Sequence, residues 1–287
     1  MNHKKRLHKP RPVSILISLI AIVCLTLMHG CYKSPLEQPY RINELNNLIL
    51  QANKAFEKGQ SERAESLYHE ALKKSRIIQD DNATVIVLIS LSRLYTSTGQ
   101  IEEAKKLIDS ATELSNRAFL PEDTLEELNF EKARIGFLLN ENVEQLLRKL
   151  SFSNFTNIRI KSLNLIARLK IKQHEYEEAE KLLNQALIIN QKTNRIEEAN
   201  SLRLLGHVYL DKDNALAGQY FLKALEIDKE LAIPEKIALD METLGIFYKN
   251  MGEKQKAKEY FIRALEIWKG LGKKEFEIKI VKEIESL

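Results

Sequence analysis

Apolar residues recur along this chain at steps of three and four, the spacing that lines up one face of an α-helix. The pattern is clearest from Met241 to Ile267, METLGIFYKNMGEKQKAKEYFIRALEI. Leu244, Gly245 and Tyr248 fall on one helical stripe, Gly252 breaks it, and Ala257, Phe261 and Ala264 form a second. Such a stretch predicts two antiparallel helices joined by a glycine turn, because glycine takes the left-handed conformation that ends a helix without Cβ strain. Two helices approach closely only where one side is small, so Ala and Gly mark the crossings while Tyr and Phe fill the remaining gaps.

The same arrangement recurs back to about residue 45. Repeat one carries Ala52, the Gly59 turn, then Ala64, Tyr68 and Ala71. Repeat two has Leu91, Ser92 and Tyr95, the Gly99 turn, then Ala104, Ile108 and Ala111, with Asp80, Asp81 and Asn82 offering helix caps before it. The third unit, about Glu122 to Leu150, is degenerate: Ala133 and Gly136 are small, but Val143, Leu147 and Leu150 stand where Ala, Phe and Ala are usual. Pro121 sits where a first helical turn accepts it. The Phe152–Phe155 loop that follows is expected to pack into the core. Repeat four has Ile166, Ala167, Ala179, Leu183 and Ala186, and repeat five has Leu205, Gly206, Tyr209, Ala217, Phe221 and Ala224. The repeat-five turn, Asp211 to Asn214, is one residue short, and Pro234 starts repeat six. Phe276, Ile280 and Ile284 alternate with polar residues to the end, predicting a polar-faced capping helix that hides the open end of a solenoid.

These residues resemble the tetratricopeptide repeat, whose skeleton is L-G-x-x-Y, a glycine turn, then A-x-x-x-F-x-x-A. The steps between Ala64, Ala104, Val143, Ala179, Ala217 and Ala257 are about 40, 39, 36, 38 and 40 residues. They exceed the common period of ~34 and are similar to the long-period variant of kinesin light chains and bacterial Rap-type regulators. The resemblance implies an all-α, right-handed superhelical solenoid of about six helix-turn-helix units plus the C-terminal cap, over residues 42–287.

Residues 1–30 have another character. Lys4, Lys5, Arg6, Lys9 and Arg11 precede the apolar run Val13 to Met28, VSILISLIAIVCLTLM, which is shorter than the ~20 residues that comfortably span a bilayer. A charged start and a short apolar core read as a secretory signal. The ending Leu27-Met28-His29-Gly30-Cys31 is similar to the lipobox of bacterial lipoproteins, with Met28 and His29 departing from the usual residues. That resemblance implies cleavage before Cys31, which becomes the lipid-bearing first residue with three acyl chains, palmitate included, so that the protein is held firmly. An uncleaved anchor and a plainly secreted product are the other two outcomes. All three put the rest outside the cytosol, since the positive flank stays inside. Tyr32 follows the cysteine where an Asp would retain the protein in the inner membrane, so the expected address is the outer membrane facing the periplasm. Residues 31–41, with Pro35 and Pro39, read as an extended tether.

Composition agrees with helix and removes whole classes of function. Hydrophobic residues are 44% and aromatics 7%, with ten glycines and six prolines. The formal charge of +4 comes from the signal; beyond it about 39 basic face 40 acidic side chains, which speaks against nucleic acid as a partner. The two cysteines, Cys24 and Cys31, leave the repeats without disulfides or thiolate metal sites. His69, His174 and His207 are not paired at metal-ligand spacing, and no phosphate loop or G-x-S-x-G occurs. Acidic pairs such as Glu102-Glu103 and Glu177-Glu178 suit first helical turns. No enzyme, cofactor, metal or small-molecule substrate is expected.

In the resembled family the first helix of each unit lines a concave groove that holds peptides. One residue past each small site stand Asn53, Arg93, Arg134, Arg168, His207 and Ile246. Four residues earlier stand Ile49, Ile89, Phe130, Asn164, Arg203 and Glu242. Lys161 and Lys172 fall on neighbouring inward positions. The groove is thus expected to be greasier at its N-terminal end and cationic in the middle, with Arg93, Arg134, Arg168 and Arg203 holding an acidic peptide or a free chain terminus through paired hydrogen bonds. The expected function is a membrane-tethered scaffold that assembles or positions cell-envelope proteins. A peptide-sensing regulator held by an uncleaved anchor is the alternative.

Overall fold

The computed structural model describes residues 40–287, with side chains from residue 43. The signal, Cys31 and nearly all of the tether lie outside the described residues. Thirteen helices and no strand occur among those described. Six antiparallel pairs run in order: α1 Tyr40–Glu57 with α2 Ser61–Ile77, α3 Asp81–Ser97 with α4 Ile101–Ser115, α5 Glu122–Leu138 with α6 Glu144–Leu150, α7 Thr156–Lys172 with α8 Tyr176–Asn190, α9 Arg195–Tyr209 with α10 Asn214–Glu230, and α11 Pro234–Asn250 with α12 Lys254–Gly270. A last helix, α13 Lys274–Glu285, follows. The region Leu45–Leu287 is one compact unit, and its helices stack as a right-handed superhelical solenoid.

The small-and-large code is realised at each crossing. A Cβ on Gly206 would stand 2.4 Å from the Phe221 ring, and one on Gly245 would stand 2.6 Å from the Phe261 ring. Only glycine lets α9 and α11 approach their partner helices so closely. The helix-B stripes Ala64-Tyr68-Ala71, Ala179-Leu183-Ala186 and Ala257-Phe261-Ala264 are fully enclosed or nearly so. The core therefore runs as a seam between the first-helix and second-helix layers rather than as one central cluster.

The turns follow the same physics with substitutions. Gly99 and Gly252 take positive φ, as the sequence predicts, and Asn140 and His174 occupy that place in units three and four at φ 59° and 62°. The repeat-five turn has no positive-φ residue among those described and closes tighter, with Asp213 N donating to Tyr209 O at 2.9 Å. Asp80, Asn194 and Asp213 cap their helices by accepting from Ala83, Glu197 and Leu216 backbone N–H groups. The degenerate third unit shows itself in α6, only 7 residues long. Phe155 packs partly against the Leu147–Ile158 cluster, but Phe152 is 85% exposed, contrary to the expectation that both pack. Phe152 stands in the turn that ends α6, three residues before Phe155, with its ring left in solvent.

The cap is built as expected. Trp268 stacks on Phe276 with centroids 4.4 Å apart and Ile280 is enclosed, while Ile278 and Val281 stay exposed among the outward polar residues. The solenoid also meets itself. Leu271, in the turn before α13, lies against Gly59, where a Cβ would stand 2.5 Å from its Cδ2. Lys273 Nζ reaches Ser61 Oγ at 3.4 Å while pairing with Glu235 at 3.1 Å.

Candidate functional site: the concave wall

The first helices α1, α3, α5, α7, α9 and α11 stand side by side, and their inward residues fall at fixed positions in each. Residues four before the first inward set do not face open space. Ile89, Phe130, Asn164, Arg203 and Glu242 are buried and Ile49 is half-buried, because neighbouring first helices close over them. The open line consists of Asn53, Arg93, Arg134, Arg168, His207 and Ile246, with Ile86, Glu127, Lys161, Asn200 and Leu239 seven residues before the last five. Ile86 is exposed toward one end, and Leu239 and Ile246 are exposed toward the other. The wall therefore starts at Asn53, exposes apolar side chains at Ile86 and again at Leu239 and Ile246, and is cationic between them, where the sequence had suggested grease at the N-terminal end.

Along this wall, charged groups join each first helix to the next. Arg93 pairs with Glu127 and, at 3.2 Å, with Glu131; Glu127 also accepts from Lys161 at 2.8 Å. Arg134 turns back to Glu131 and donates to Thr96 Oγ1 at 3.1 Å. Asn164 donates to Glu197 at 2.8 Å, and its Oδ1 accepts from Ser201 at 2.7 Å. Arg203 forks onto Asp228 and Asp240, and Lys236 donates to Asn200 at 3.1 Å. Lys279 reaches Glu242 from the cap, and Lys249 meets Glu283 at 2.7 Å. Most of these links span one repeat, so the wall is a ladder whose rungs are hydrogen bonds and ion pairs.

The predicted site residues divide accordingly. Arg93, Arg134 and Arg203 are engaged by internal carboxylates, and Arg203 is buried as well. Asn53 accepts from the Tyr68 hydroxyl at 2.6 Å and so braces its own repeat. The carboxylates Glu127, Glu131, Asp228 and Asp240 were not singled out in the sequence. The repeat period itself points to two of them, since Glu127 and Glu131 lie one period beyond Arg93.

Arg168 differs. Its side chain is open to solvent and rests over the Phe137 ring at 5.3 Å, with no hydrogen bond or ion pair from the described residues. Crowding by the surrounding helices, and then the charges of Arg134 and Arg203, depress its pKa from the ordinary arginine value. His207 lies one repeat further along, edge-on to Phe221 at 5.1 Å. Burial, followed by Arg203 and Arg168, lowers its pKa to about 4, so it is neutral at physiological pH.

Elsewhere, a cleft of about 490 Å³ opens between Thr156, Asn157, Thr193 and Leu231, but its Arg195 is closed by Glu198 and Glu230 at 2.6 Å each. Among the described residues no cluster of His, Cys, Asp and Glu is arranged to hold a metal ion, and no helix is long and apolar enough to cross a membrane.

Tetratricopeptide repeat models match residues 159–230, 86–117 and 242–267, leaving the first unit and the degenerate third unit uncovered. No curated protein sequence matches the chain. The fold is similar to the apo form of RapI (21% identity, TM-score 0.54, covering 84% of this chain and 69% of that one). It is also similar to a Rap protein complexed with competence and sporulation factor (13% identity, TM-score 0.60, 84% and 70%). A third likeness is to a signal transduction ATPase with a tetratricopeptide repeat sensor from Pyrococcus horikoshii (16% identity, TM-score 0.60), where 96% of this chain covers 43% of that one.

Proposed function

Since this chain is a tetratricopeptide repeat protein, a fold that supports binding of protein or peptide partners, we propose that it is a membrane-tethered scaffold that holds an extended segment of an envelope protein along its concave wall. The observation that carries this is the open line from Ile86 to Ile246, apolar at its ends and polar between. Apolar side chains left exposed on an otherwise enclosed wall mark a surface meant to be covered, and a row spaced by repeats suits an extended chain. The first thirty residues and Cys31 supply the membrane address, with lipid attachment at Cys31 and the outer membrane as destination. No step in this function requires catalysis.

Two measurements test the halves separately. Protein purified from detergent-solubilised membranes is expected to bring its partner with it, and Ile246→Asp is expected to lose that partner while the fold, read by circular dichroism, is unchanged. Retention of the partner by Ile246→Asp removes the concave wall from the reading. Cys31→Ser is expected to abolish fatty-acid labelling and shift the protein from the membrane to the soluble fraction; unaltered labelling and distribution defeat the lipoprotein half.

A second reading draws on the likeness to a Rap protein complexed with competence and sporulation factor. Here a peptide signal tightens the superhelix of a regulator held by an uncleaved anchor. It requires a leader still attached to the mature protein, which intact mass measurement decides.

A further inference from the structure

The ladder along the concave wall is incomplete at one place. Arg134, Arg168 and Arg203 occupy neighbouring first helices, and the charges acting on Arg168 are those of the other two arginines, with no carboxylate among them. Arg134 escapes toward Glu131 on its own helix, and Arg203 escapes forward to Asp228 and Asp240. Arg168 is left between two like charges, over the Phe137 ring and beside Lys172, which also lies over Phe137 at 6.0 Å. His207 on the next helix adds no negative charge. A guanidinium crowded by helices yet open to solvent, with its donors unspent, is an uncommon arrangement in a wall where the neighbouring charges are matched.

We infer that Arg168 is the anchor for one carboxylate of the bound segment, which supplies the missing rung. This rests on the reading of the concave wall as a segment-binding surface and adds the chemistry of what is held there. The guanidinium fork takes a carboxylate through two parallel hydrogen bonds. The Phe137 ring supports the guanidinium from one side, and the neutral His207 ring offers a further donor or acceptor without a competing charge. Lys161 and Asn200 border the same stretch, and Leu239 and Ile246 accept apolar residues on one side of the acid. The preferred ligand is an extended peptide with a single central acidic group and apolar flanks. A uniformly acidic tract does not fit, because Glu127, Glu131, Asp228 and Asp240 already fill the rungs on either side.

The test uses full-length protein in detergent and fluorescent peptides of leucine and serine. One carries a central glutamate, its twin a central glutamine, both with amidated ends, and a third is the glutamine twin with a free C-terminal carboxylate. The glutamate peptide is expected to bind about tenfold tighter than its glutamine twin, and Arg168→Gln to erase that preference. The free-acid peptide reports whether a chain terminus serves as well as a side chain. In the same variant the His207 ring, followed by nuclear magnetic resonance, is expected to titrate at higher pH, since one of the charges depressing it is gone. Equal binding of the glutamate and glutamine peptides, no binding of any, or a preference that survives Arg168→Gln overturns the anchor. If Ile246→Asp weakens all three peptides while the preference survives Arg168→Gln, the wall binds segments and only the anchor falls. If peptides bind and neither substitution alters them, the concave wall itself is wrong.

Discussion

Gly245 meets the Phe261 ring so closely that no side chain fits between them. Gly245→Ala forces the ring or the helix to move, and overpacking of this kind costs about 1–3 kcal/mol. Chemical denaturation is expected to show that loss. The same comparison at Gly270, where nothing lies within 4 Å of the added Cβ, is expected to show none of it. This residue-level code was plain in the sequence, because Gly, Ala and Phe at helical spacing have few other uses. The charge pairing was not. Arg93, Arg134, Arg168 and Arg203 look alike as letters, and only the fold shows that three have carboxylates from a neighbouring turn, helix or repeat while Arg168 has none.

At the scale of elements, the junction of α9, α10 and α11 holds an unusual polar knot. Arg203 of α9, Asp228 of α10 and Asp240 of α11 are all buried, with Lys236 and Asn200 beside them. Burial first, and then Asp240, push the Asp228 pKa up to about 7, against the pull of Arg203. A carboxyl whose folded pKa is raised contributes stability that is complete below its unfolded value and lost as pH rises through the folded one. As pH rises through 7 the wild type is therefore expected to lose stability that Asp228→Asn does not lose. Urea denaturation of both proteins on either side of that pH measures it. Helix boundaries were largely legible, since caps and turn residues act locally: Asp80, Gly99, Pro234 and Gly252 each stand where a helix starts or stops. The knot was not legible, because it joins residues from three helices through burial that no local pattern encodes. His174 shows the converse, a residue that invites a functional reading but serves as the left-handed turn of unit four.

For the molecule as a whole, stability depends on how the stack is finished. Trp268 is the single tryptophan in the sequence and lies between α12 and the cap, against Phe276. Ending the chain after Lys273 exposes it, so its fluorescence is expected to shift to the red and the denaturation midpoint to fall; an unchanged spectrum would mean that α13 does not cover the last repeat. The contact of Leu271 with Gly59 carries a different consequence. Many stacked-repeat proteins present two free ends onto which further units, or further molecules, could be added indefinitely. Here Leu271 and Lys273 occupy the flank of the first hairpin, so that part of its surface is covered by the chain's own last turn and is closed to another molecule.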